Sequence, residues 1–225
     1  MKHLNAFADI QEGNAKAKEP EHQGFHIWFQ VDMWDDSNGH SRRLHYGLCK
    51  TWEEAKATQL RFSGLENKNV GTDIGGGKLF RENIKRTHDM GWYGYKGDDA
   101  LGFVHRVPQG IGKPDKMIDL PWSPYILYSP LSGQKVDKRI RNSKLAHVMN
   151  WSNPSIYPIL YALKNGEGRY YGIASDMPQE YLSQINSHMP DGKGGWMKTN
   201  PDDHAWDTSC GCLLIAMRRN WFRIE

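Results

Sequence analysis

The sequence predicts an α+β fold: a largely antiparallel sheet, three or four helices and a flexible N-terminal arm. Three observations predict it. Phe25, Ile27, Phe29, Val31 and Met33 alternate strictly with His26, Trp28, Gln30, Asp32 and Trp34, the period of a half-buried strand. Asn-Gly pairs at Asn38-Gly39 and Asn165-Gly166 each sit between strand-like runs and signal hairpins. Hairpins and helices mix without regular strand–helix alternation, which argues α+β with a largely antiparallel sheet.

Taken in order, residues 1–23 are polar, rich in Glu, Lys, Ala and Gln, and read as the arm, leaving 24–225 as a single domain. Residues 25–34 and 43–49 form the first hairpin. Thr51 followed by Glu54 is a capping box that opens a helix to about Phe62. A second helix is expected from Lys78 to Asp89, stopped by Gly91, and short strands at Trp92–Tyr95 and Leu101–Val107. Five of the eleven prolines fall between Pro108 and Pro130, an extended, looping stretch. A third helix is expected from Val136 to about Trp151. Ile156–Ala162 and Arg169–Ala174 then read as an aromatic hairpin, Pro178–His188 as a helix and Cys212–Phe222 as a closing strand.

Composition excludes some classes. No apolar stretch approaches the ~20 residues of a membrane span, so no membrane association is expected. The N-terminus lacks the apolar region of a signal peptide. Three cysteines cannot make a disulfide framework, which points to a reducing, cytoplasmic setting. Nine tryptophans and ten tyrosines are a heavy aromatic load for a chain with a mean hydropathy of −0.73. Such rings anchor cores or, when exposed, stack on bases and sugars.

The net charge of +3 is modest, but the cations are clustered. Residues 78–86 and 135–144 hold nine of the 29 lysines and arginines. On helices, Arg81 and Lys85 share one face, and Lys138, Arg141 and Lys144 project together, each set beside an apolar stripe as phosphate binding requires; Arg86 and Arg139 add to the expected contacts. The expected partner is therefore nucleic acid. The alternative is an aromatic-rich module that binds carbohydrate, peptide or protein without catalysis.

Candidate chemistry follows from that partner: a nuclease or nucleic-acid-modifying enzyme. Leu160-Tyr161 and Tyr170-Tyr171-Gly172-Ile173 around Asn165-Gly166 resemble the paired strands of the GIY-YIG nucleases. The resemblance implies catalytic roles for Tyr161 and Tyr171 with His188 downstream, beside a divalent metal such as Mg²⁺. The family's first-motif glycine, its helical arginine and a metal-holding glutamate short of Glu225 have no counterpart here. A metal-free alternative places His26 and His45 together as acid and base. Asp203, His204 and Asp207, in the run Asp202–Cys212, supply oxygen and nitrogen donors suited to a metal.

Overall fold

The computed structural model describes residues 1–11, 25–75, 79–137, 144–167, 169, 171–173 and 176–223. A mixed sheet divides them into layers. Its first half is β1 (Lys2–Gln11), β2 (His26–Asp35), β3 (His40–Cys49), α1 (Trp52–Leu60), β4 (Val70–Asp73), α2 (Phe80–Met90) and β5 (Tyr93–Asp98). A two-stranded ribbon, β6 (Phe103–Val107) and β7 (Lys116–Leu120), precedes β8 (Ile126–Tyr128), β9 (Lys135–Val136) and β10 (Ala146–Ser152). The chain ends with α3 (Asn153–Lys164), β11 (Tyr171–Gly172), α4 (Gln179–Ile185), a second ribbon of β12 (His188–Pro190) and β13 (Trp196–Lys198), and α5 (His204–Arg218).

The large sheet runs β11-β3-β2-β1-β4-β5-β10-β8-β9. Its centre is parallel, β1 to β4 to β5 to β10, while β2 and β3 on one side and β8 and β9 on the other pair antiparallel. The class is thus mixed α/β. The sheet is mixed where a largely antiparallel one was expected, and the described residues hold five α-helices where three or four were expected.

Side-chain alternation assigns the two faces. Ala6 and Ala8 of β1, Ile27, Phe29 and Val31 of β2, and Val70 of β4 pack with Trp52 and Ala55 of α1, and Ile74 packs with Ile84 of α2. Phe7, Trp34, Tyr95 and Met149 point the other way, into a core closed by α3 and α5. Trp28 and Tyr46 on that second face meet α4 through Tyr181 and Ile185. The hairpin strand β2 is therefore buried on both faces, because it lies inside the sheet. Six of the nine tryptophans (Trp28, Trp34, Trp52, Trp92, Trp151 and Trp206) are buried, so most of the aromatic load is core.

Four expectations are corrected. Lys2–Gln11 is no arm: it is β1, buried from Asn5 to Asp9 in the middle of the sheet. Its alternation is real (Leu4, Ala6, Ala8, Ile10) but muted by two alanines; residues 12–23 of the expected arm lie outside the described residues. The stretch read as a helix from Val136 holds β9 and β10 instead. Ile156–Ala162 is not a strand but the body of α3, whose Ser152 caps the Ser155 amide with Pro154 in the first turn. Cys212–Phe222 is not a closing strand: α5 runs to Arg218 and is buried almost all round from Ala205 to Met217. A continuous apolar run carries no period, so pattern alone does not separate a buried helix from a strand. The α1 and α2 expectations hold, with Thr51 accepting from the Glu54 amide and Gly91 closing α2 in the left-handed region (φ 70°).

Two contacts lock α5 to the sheet. Gly211 lies on Phe7 so closely that a Cβ there would sit 2.1 Å from the ring. Gly211→Ala should therefore lower stability by about 1–3 kcal/mol through overpacking, read as a lower urea midpoint, with Phe7→Leu restoring part of it. An unchanged midpoint would mean that α5 does not rest on β1 this way. Farther along, fully buried Arg43 donates to Asp32 Oδ1 at 2.5 Å and Oδ2 at 3.2 Å, to Ser209 Oγ at 3.2 Å, and to the hydroxyls of Tyr171 and Tyr181. One guanidinium thus joins β2, β3, β11, α4 and α5.

Candidate functional site

The pairing of β1 with β4 sets Ala6, Phe7 and Ala8 beside Val70, Gly71 and Thr72. Continued by one residue, the register puts Asp9 level with Asp73 near the carboxyl ends of two adjacent parallel strands. Both belong to the face that carries Phe7, because side chains two apart share a face. Helix α5 lies on that same face. Gly211 sits on Phe7, and Asp207 stands one turn earlier, so its carboxylate is brought to the strand ends. Open parallel sheets place ligand sites at this edge.

Burial and neighbouring charge both act on Asp73 and Asp207. The Asp73 carboxyl is pushed up to about 7, first by burial and then by the charge of Asp9. Burial, followed by the charges of Asp9, Asp203 and Asp73, raises Asp207 well above the usual carboxylate range. Asp73 and Asp207 nevertheless keep some solvent exposure, whereas Asp9 is 1% exposed. Asp9 Oδ2 accepts from Gln11 Nε2 at 2.9 Å and lies 2.7 Å from His204 Nδ1. Asp73 Oδ1 accepts from the Gly75 amide at 2.8 Å. Asp203, at the N-cap of α5, is met by Lys198 Nζ at 2.8 Å and His188 Nε2 at 3.8 Å.

The residues expected from sequence divide accordingly. Asp203 stands at the N-cap of α5, with His204 and Asp207 in its first turn. Asp203 meets Lys198 and His188, whereas His204 meets Asp9, which the sequence reading missed along with Asp73. Among the described residues, no three His, Cys, Asp or Glu side chains already stand in metal-holding geometry. His188 is buried beside Asp203 and stacks on Trp206 at 5.2 Å; burial lowers its pKa. His26 lies on the same sheet face, edge-on to His204 at 6.1 Å. His45 is opposite Val31, on the other face against Phe62 at 6.0 Å. The sheet thus separates the proposed histidine pair.

The paired tyrosines are separated too. Tyr161 is on α3, and Tyr171 is on β11 with its hydroxyl committed to Arg43. Burial raises the Tyr171 phenol above its ordinary range, and its hydroxyl is held in the core by Arg43. Arg81, Lys85 and Arg86 lie on α2, across the sheet from the carboxylates. Arg81 donates to the Leu131 carbonyl at 2.6 Å, Arg86 pairs with Glu82 at 2.8 Å and Glu53 at 3.5 Å, and Lys85 is exposed. Lys144 is exposed just before β10; Lys138, Arg139 and Arg141 lie outside the described residues.

Asp9 carried a readable signal, a lone carboxylate within the alternation Ala6-Phe7-Ala8-Asp9-Ile10. Asp73 carried a weaker one, since an Asp after a short strand is ordinary turn chemistry. No family model matches the chain, and neither a curated protein nor a solved structure does. No described helix is long and apolar enough to cross a membrane, and Cys49, Cys210 and Cys212 are buried free thiols.

Proposed function

We propose that the chain is a divalent-metal-dependent hydrolase of phosphodiester bonds in nucleic acid, with Asp9, Asp73 and Asp207 at its centre. One observation carries the reading: Asp9 and Asp73 stand level on adjacent parallel strands with Asp207 of α5 over the same face, where burial above all raises Asp73 and Asp207 out of the usual carboxylate range. Such an arrangement is costly as architecture and useful as a cation cradle.

The donor set fits a hard ion. Carboxylate oxygens suit Mg²⁺ or Mn²⁺, and the thiols of this chain lie in the core. When bound, such an ion supplies charge neutralisation at the phosphate and a more acidic water. Asp73 and Asp207 would hold it with Asp9, whose His204 contact would give way. Lys198, half exposed and anchored on Asp203, meets the incoming phosphate as a point charge. His204 offers an imidazole for proton movement next to the carboxylates.

End-labelled single- and double-stranded oligonucleotides test the reading. Cleavage is expected with Mg²⁺ or Mn²⁺ and should vanish with EDTA. Turnover that survives EDTA, or no turnover on any substrate with either ion, would overturn it.

A further inference from the structure

Next to the carboxylates stands a group of rings that the hydrolytic reading leaves unused. Trp196 of β13 lies edge-on to Tyr157 at 5.7 Å and to Tyr161 at 5.6 Å, and at 6.1 Å from Trp206. The group is closed at one end and open at the other: Trp206, the chain neighbour of Asp207, is 0% exposed, whereas Trp196 and Tyr161 are partly exposed. Two cations stand beside the group. Lys164 Nζ sits 5.1 Å from the Tyr161 ring and is steadied by Asn186 Oδ1 at 2.7 Å. Lys198 follows Trp196 by two residues on the same strand, so both project to one side of it, and its ammonium reaches Asp203.

We infer that Trp196 and Tyr161 form a stacking subsite for one unpaired base of the strand whose phosphate lies at the carboxylates. This rests on the hydrolytic reading for its second half and on ring geometry for its first. The occupant follows from charge: flat rings beside two lysines suit a polyanion that carries flat bases, and a base within a duplex does not present its face to them. Burial lowers the Lys164 pKa, and an arriving phosphate would favour its charged form.

Anisotropy of a fluorescein-labelled single-stranded oligonucleotide, with Ca²⁺ in place of Mg²⁺, tests the subsite without requiring turnover. Trp196→Leu and Tyr161→Leu should each weaken binding about tenfold, the scale of one lost base stack. Trp196→Phe, which keeps a ring, should stay within about threefold of wild type, and blunt duplex affinity should not change in any variant. The subsite is overturned if Trp196→Leu binds as wild type does, if Trp196→Phe loses as much as Trp196→Leu, or if the wild type does not bind the single strand. The two readings fail separately. Ring-dependent binding without metal-dependent cleavage removes the hydrolase and keeps the subsite. Cleavage with ring-independent binding does the reverse.

Discussion

Asp73→Asn and Asp207→Asn should each reduce metal-dependent cleavage by roughly 10³-fold or more, the scale on which losing a charge-stabilising group acts. The same variants should be more stable than wild type in metal-free buffer, because each removes a carboxylate that burial and its neighbours hold in an unfavourable state. Loss of function with gain of stability is the signature of residues kept for chemistry at the expense of the fold. Cleavage kinetics and thermal melts on the same preparations measure both. A variant that loses activity and also stability would place its carboxylate in the architecture instead.

Arg43→Leu should cost about 3–5 kcal/mol, as removing one member of a buried ion pair does. Asp32 would remain 0% exposed without its cation, and the hydroxyls of Tyr171 and Tyr181 would lose their donor. The double variant Asp32→Leu/Arg43→Leu should recover part of the loss, since the stranded charge is what hurts most. Urea unfolding of the single and double variants gives the comparison. A single-variant cost below about 1 kcal/mol would show that Asp32 and Arg43 are hydrated, not buried as a pair.

What the sequence revealed depended on how locally each feature is encoded. Thr51 with Glu54, Gly91 after α2, and the strict alternation through β2 are short-range signals, and each corresponds to an observed element. The failures share a physical cause. In β1, Ala6 and Ala8 weaken the hydrophobic contrast, so a central strand looked like a polar tail. In α5, burial on every side erases the 3.6-residue period. In α3, the aromatic run before Asn165-Gly166 suggested a hairpin strand, whereas Ser152 caps a helix there and Pro154 stands in its first turn, where proline is at home. The parallel centre of the sheet is a consequence of order in space, which no local pattern states. The site was legible in half: Asp203, His204 and Asp207 announce themselves as a polar run, while Asp9 and Asp73 join them only through the register of β1 with β4.

The cation site proposed at Asp9, Asp73 and Asp207 has a pH dependence of definite sign. Asp73 and Asp207 bind their protons more tightly folded than unfolded. Their contribution to stability is therefore fully present below the unfolded value of 3.8 and is lost as pH rises, through about 7 for Asp73 and through the raised folded value of Asp207. A bound dication reverses this loss by neutralising the carboxylates, and it releases protons as it binds near neutral pH. Calorimetric titration of Mn²⁺ at pH 6.5, in two buffers of different ionisation enthalpy, measures affinity and proton release together. Saturable binding with proton release in the wild type, and neither in Asp9→Asn/Asp73→Asn/Asp207→Asn, is the predicted result. Equal binding by wild type and triple variant, or none by the wild type, would contradict it.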